Sequence, residues 1–215
     1  MTKEEILNLC KKYIIAPCVM AEKFASKTCR IIIKPALVGV DNRELTYIES
    51  KDNDGLHANF YNSDGQSVAT VSSEYAIRDY VYVREPYFED NGNIVFCADD
   101  PGRVVFGKKK MVSARYMKKE LARSFFRIID VRLCRLHDLT CKELHGMGFR
   151  SFDFAFREYD ADLSEKQFEF SRSEFNPFVF IYEIESVGSL SVSPHQSPYG
   201  DSFSTVENPF VRYGT

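Results

Sequence analysis

The chain has 215 residues, 44% of them hydrophobic and 27% charged, and a formal net charge of −3. A chain of this size buries roughly 70% of its unfolded surface in one core, so one globular domain with appendages is expected. No run approaches the ~20 apolar residues of a bilayer span, and the polar, acidic start Met1-Thr2-Lys3-Glu4-Glu5 lacks a secretory pattern, which predicts a cytoplasmic protein with no membrane partner.

Thr2 and Glu5 form a T-x-x-E capping box, and Ile6, Leu9, Cys10, Tyr13 and Ile14 follow at helical spacing, so the chain opens on an amphipathic helix. A second short helix is expected over residues 20–25. The period then changes to that of strands at 30–34 and 45–49. Residues 58–71 read as a hairpin turning at Asn62-Ser63-Asp64-Gly65, part of an insertion around 40–75. Strands at 80–84, 93–98 and 103–106 follow, broken by Asp90-Asn91-Gly92 and Asp99-Asp100-Pro101-Gly102.

The longest predicted strand covers 125–136. Strict alternation places Phe126, Ile128, Asp130, Arg132 and Cys134 on one face and Phe125, Arg127, Ile129, Val131, Leu133 and Arg135 on the other. Apolar groups on both faces predict a central strand that curves within a barrel. Thr140 with Glu143 caps a short helix ending at Gly146 or Gly148, and Ser164 with Gln167 caps another, with Phe168 and Phe175 as core anchors. A closing strand spans 176–186. The predicted class is α+β, a mixed β-barrel with short flanking helices over residues 1–187. Residues 188–215, rich in Ser, Pro, Gly and Tyr, read as a flexible tail, with Asn208-Pro209-Phe210-Val211-Arg212-Tyr213 as a segment able to dock on a protein partner or on the barrel.

Six cysteines (Cys10, Cys18, Cys29, Cys97, Cys134, Cys141) show no C-x-x-C pair, and four histidines (His57, His137, His145, His195) show no ligand spacing with them. Buried reduced thiols, no metal and no cofactor are therefore expected. Between residues 103 and 135, eleven basic residues stand against Glu120 and Asp130, a net +9 in a chain of −3. Here Lys108, Lys109, Lys110, Arg115, Lys118, Lys119 and Arg123 are interleaved with Tyr116, Phe125 and Phe126. That is the composition of a polyanion-binding face, because Lys and Arg displace phosphate counterions while aromatic rings stack on bases. A solvated strand and loop whose charges serve solubility has the same composition.

Four segments occur in order: Lys27-Thr28-Cys29-Arg30 running to Ile33-Lys34-Pro35; Asp79-Tyr80-Val81-Tyr82-Val83-Arg84-Glu85; residues 117–139 with Arg123 and Asp130-Val131-Arg132; and Asn176-Pro177-Phe178-Val179-Phe180. Their order and spacing, over about residues 17–186, resemble the ASCH family of small PUA-like barrels, in a phage-type form. The resemblance implies a fold used on RNA and modified nucleosides. Some small ASCH members are amidohydrolases of N4-acetylcytidine that use a Lys, a nearby Thr and a Glu on the short helix. Lys27 keeps the first role, the second Thr is deleted, and the Glu position falls on Met147. Methionine carries no proton, so a substitute would have to come from Glu143, His145 or Glu85. Glu85 beside Arg84 reads either as that carboxylate or as one half of a charge-paired support at the barrel mouth.

The function expected from these readings is a noncatalytic RNA-binding module of phage origin, acting in the host cytoplasm. Its partner would be RNA or single-stranded nucleic acid, with Lys27, Thr28, Arg30 and Arg84 lining a cleft and the basic stretch holding the backbone. Two alternatives stand beside it. One is an amidohydrolase or ribonuclease built on Lys27, and the other is a protein that binds a host factor through its acidic lobes or tail.

Overall fold

The computed structural model describes residues 2–15, 31–37, 40–90, 93–100, 111–147, 149, 151–162 and 171–187. They form a mixed α+β fold of mostly strands with a few short helices. The Thr2 capping box is made: its hydroxyl accepts from the Glu5 N–H at 3.2 Å, and the Glu5 carboxylate accepts from the Thr2 N–H at 2.7 Å. This starts α1 (Lys3–Leu9), which stops at Cys10, earlier than helical spacing predicts. The next residues form β1 (Lys12–Ile15) instead, parallel to β6 (Tyr80–Arg84). Ladder bonds to a distant strand and the β-branched Ile14-Ile15 pair outweigh the local helical period.

β1 is one edge of a five-stranded sheet in the order β1, β6, β10 (Phe125–Arg135), β11 (Phe178–Ser186), β2 (Ile31–Pro35), all neighbours but the first pair antiparallel. The predicted hairpin is present as β4 (Gly55–Tyr61) and β5 (Ser67–Ser72), and β3 (Thr46–Asp52) extends it to a meander. Its turn is set by Asn62, whose side-chain oxygen accepts from the N–H groups of Asp64 and Gln66, and by Gly65 at φ +75°. A third sheet pairs β7 (Tyr87–Asp90) with β8 (Asn93–Phe96) and β9 (Met111–Val112). Two further helices, α2 (Cys141–Gly146, with the Thr140–Glu143 capping box) and α3 (Phe152–Asp162), follow β10.

The main core lies between the inner face of the five-stranded sheet and the meander, where Val81, Val83, Ile128, Val131 and Tyr182 meet Leu56, Ala58 and Phe60. α2 and α3 cover the outer face around Val179, Ile181 and Leu144. A second core joins α1 to the third sheet through Ile6, Cys10, Tyr82, Tyr87 and Met117.

Strict alternation in β10 is overturned. Its register with β11 slips between Ile128 and Asp130, so Ile129 is an extra residue, 36% exposed. The bulge brings Phe126 and Ile128 to the same core as Val131 and Leu133, and sends Asp130 and Arg132 to the outer side.

Among the described residues the expected barrel is not closed by strand pairing, because β1 and β2 each have a single strand neighbour there. Loop 73–79 bridges them. The Lys12 amine of β1 donates to the Glu74 carbonyl at 2.8 Å and to Asp79 at 2.9 Å, while the Lys34 amine of β2 lies 3.7 Å from the Glu74 carboxylate. The Glu74 N–H donates to the Tyr182 hydroxyl, and the fully buried Tyr75 donates its own hydroxyl to the Tyr13 carbonyl at 2.9 Å. The helix expected at 20–25, the strand at 103–106, the Ser164–Gln167 cap with Phe168, and the tail at 188–215 lie outside the described residues. Among those described, no helix is long and apolar enough to cross a membrane.

Tyr75→Phe keeps the ring and removes the bond to Tyr13. We expect a loss of about 1–2 kcal/mol, read as a lower urea midpoint with unchanged slope.

Candidate nucleic-acid interface

β6 alternates Val81 and Val83 into the main core with Tyr82 into the second, and ends at Arg84 opposite Ile15 of β1. The Arg84 guanidinium lies 3.7 Å from the centre of the Tyr13 ring. Its Nε and Nη2 donate to the Tyr82 hydroxyl at 3.3 and 3.1 Å, and Nη1 donates to the Arg115 carbonyl at 2.9 Å. Tyr82 is buried whereas Tyr13 is 38% exposed, so the buried phenol fixes a cation over an accessible ring. Stacking of this kind contributes about 0.5–1 kcal/mol at such a site and holds the guanidinium plane in one orientation.

Arg115 is delivered by a 3-10 turn at Ala114–Tyr116, capped by the Ser113 hydroxyl. Its period buries Ala114 and Met117 and leaves Arg115, Tyr116 and Lys118 exposed, Tyr116 at 73%. Lys119 folds back, donating to the Cys10 carbonyl at 2.6 Å with its amine 5.8 Å from the Tyr82 ring. Arg84, Arg115 and Lys119 are thus gathered around Tyr13 and Tyr82, with Tyr116 and Lys118 on the same short segment. Exposed rings beside oriented cations can stack bases and neutralise phosphates.

Two expected roles are corrected. Glu85 does not pair with Arg84, because successive strand residues point to opposite sides. Its fully buried carboxylate accepts from Nε and Nη2 of Arg123 at 3.0 and 2.7 Å, and its N–H points to the Met117 sulfur at 3.0 Å. Arg123 in turn also holds Asp99 at 2.7 Å and lies 4.2 Å over Phe96, with its side chain 16% exposed, so it ties β6, β8 and β10 together rather than reaching a phosphate. Burial alone would weaken the Arg123 charge, but hydrogen bonds and charge from Glu85 and Asp99 outweigh it and hold its pKa above the ordinary arginine value.

Lys27, Thr28, Arg30, Lys108, Lys109 and Lys110 lie outside the described residues. Other cations of the basic stretch are engaged along β10: Arg127 is paired with Glu185 at 2.5 Å and Arg132 with Glu143, while Arg135 donates to the side chain and carbonyl of Asn42. Met147, the C-cap residue of α2, is buried. The described cysteines, Cys10, Cys97, Cys134 and Cys141, form no disulfide, and no described group of His, Cys, Asp and Glu has the geometry to hold a metal. Sequence reasoning missed Tyr13 and Tyr82. Their signal was the alternation of 80–84 and a Tyr-Ile-Ile run that was assigned to a helix.

Comparison of the chain with protein-family models, curated proteins and solved structures finds no match.

Arg123→Ala strands a buried carboxylate and is expected to cost about 3–5 kcal/mol, measured by denaturant unfolding. Burial pushes the Cys10 thiol up to about 11, against the pull of the Lys119 amine, from an ordinary value near 9. The native thiol therefore keeps its proton where the unfolded one has lost it, so stability is retained below pH 9 and falls as pH rises from 9 to about 11. Cys10→Ala should flatten that fall in thermal melts at graded pH.

Proposed function

We propose that this chain is a noncatalytic RNA-binding module of the PUA-like, ASCH type, of phage origin, whose binding face centres on Arg84. The observation that carries the reading is the guanidinium held 3.7 Å over the exposed Tyr13 ring by a buried phenol, with Arg115, Tyr116 and Lys118 exposed on the segment it grips. Single-stranded nucleic acid is bound by this combination of accessible rings and fixed cations.

A five-stranded sheet whose edges are bridged by one loop also suits a barrel-derived architecture. The hydrolase alternative is weakened by the engagement of Glu85 with Arg123, which leaves Lys27 without that acid/base partner.

The test is binding of a single-stranded RNA oligonucleotide by fluorescence anisotropy between about 50 and 200 mM salt. Affinity should fall with salt, and each of Arg115→Gln and Lys118→Gln should reduce the logarithmic slope by about 0.7. Tyr116→Ala should lose about 1–3 kcal/mol with the slope unchanged. Affinity indifferent to salt would sink the electrostatic account.

A further inference from the structure

The loop that bridges β1 and β2 leaves a cleft of about 350 Å³, lined by Lys11, Lys12, Tyr13, Ile15, Lys34 and Glu74. We infer that this cleft seats a backbone phosphate of the bound strand, and that the Glu74 carboxylate occupies that seat in the unliganded protein. The inference rests on the RNA-binding reading above and names the subsite that reading lacks.

Three observations lead to it. Among the described residues three amines border the cleft against the Glu74 carboxylate, and with Asp79 paired to Lys12 the local charge is still +1, which favours an anion although the whole chain is acidic. The amines are not equivalent. Lys12 is fixed by Asp79 at 2.9 Å and by the Glu74 carbonyl at 2.8 Å, which makes it part of the frame. Among the described residues, Lys34 has a loose partner in the Glu74 carboxylate at 3.7 Å, and the Glu74 side chain is 53% exposed. A pair this open contributes little stability, so a phosphate carrying its own charge and several acceptor oxygens can replace it.

The cleft is also joined to the stacking face. Tyr13 lines it and at the same time carries the Arg84 guanidinium. A base set against this tyrosine brings the adjoining phosphate to Lys11 and Lys34, so stacking and phosphate capture act on one nucleotide. Glu74 then works as a resident competitor: its charge lowers affinity for every anion, and only a ligand that also stacks on Tyr13 gains enough to displace it. Its backbone has separate duties, the N–H to Tyr182 and the carbonyl to Lys12, and these survive a change of side chain.

The experiment measures binding of a mixed-sequence RNA dodecamer to the full chain and to Glu74→Gln, Lys34→Gln and Lys34→Arg, each checked by thermal melting. Glu74→Gln should raise affinity about two- to five-fold. Lys34→Gln should lower it about five-fold and reduce the salt slope by about 0.7, whereas Lys34→Arg should restore both. If the wild type binds and the Glu74 and Lys34 variants match it, the cleft is overturned while the RNA reading stands. A Glu74→Gln variant that melts like wild type yet binds more weakly would also overturn it. A wild type that binds no RNA overturns both.

Discussion

A sheet with two strand edges brought near each other has to satisfy the backbone groups along the gap, and in this protein that constraint falls on residues 73–79. The Tyr75 hydroxyl meets a carbonyl of β1, the Tyr182 hydroxyl meets the N–H of Glu74, and Lys12 and Lys34 reach the loop from opposite borders. Side chains thus do along this seam what ladder bonds do elsewhere. The Tyr75 ring, packed edge-on against Tyr182 at 5.0 Å, fills the same gap with apolar volume. The position of β1 follows from this seam and from its pairing with β6, and the stack of Arg84 on Tyr13 follows from the position of β1. Because the loop continues directly from β5, it also fixes the meander over the main core.

Charge is distributed by the same geometry. The described cations of β10 do not share one face, because alternation along the strand divides Arg127, Arg132 and Arg135 and the bulge at Ile129 shifts the division midway. Arg123 is drawn inward to Glu85, while Arg127 and Arg132 find glutamates on neighbouring elements. Cations remain exposed where the chain leaves regular structure, in the 3-10 turn that carries Arg115 and Tyr116 and at the adjoining Lys118. A buried ion pair gives little net stability against an apolar replacement of the same shape, but each partner makes the loss of the other costly. The Glu85–Arg123 pair therefore fixes how β6 and β10 meet more than it strengthens them.

Much of the fold was legible because local signals and tertiary structure agree. Both capping boxes, the Asn62–Gly65 turn, the strand at Tyr80–Arg84 and the long strand from Phe125 follow from periodicity and turn chemistry. Three features were not legible, each for a physical reason. Lys12–Ile15 is too short for its period to distinguish helix from strand, and its partner lies far along the chain. The bulge in β10 is a property of its register with β11, which no single strand encodes. The pairing of Glu85 with Arg123 instead of Arg84 depends on which side of β6 each side chain leaves. For the candidate site, Arg84, Arg115, Lys118 and Lys119 were visible as cations, but the tyrosines that organise them were not. Residue type signals charge readily, whereas a stacked arrangement needs three dimensions.

The parallel pairing of Lys12–Ile15 with residues 81–84 has a consequence for the order of assembly. Hairpins such as the meander close short loops, whereas this contact must bring together parts of the chain separated by β2 and the whole meander, at a correspondingly larger entropic cost. The N-terminal strand is therefore among the last pieces to dock. A nascent or partly folded chain would carry Arg84 without the ring beneath it, so the stacked surface exists only once the whole domain has been assembled.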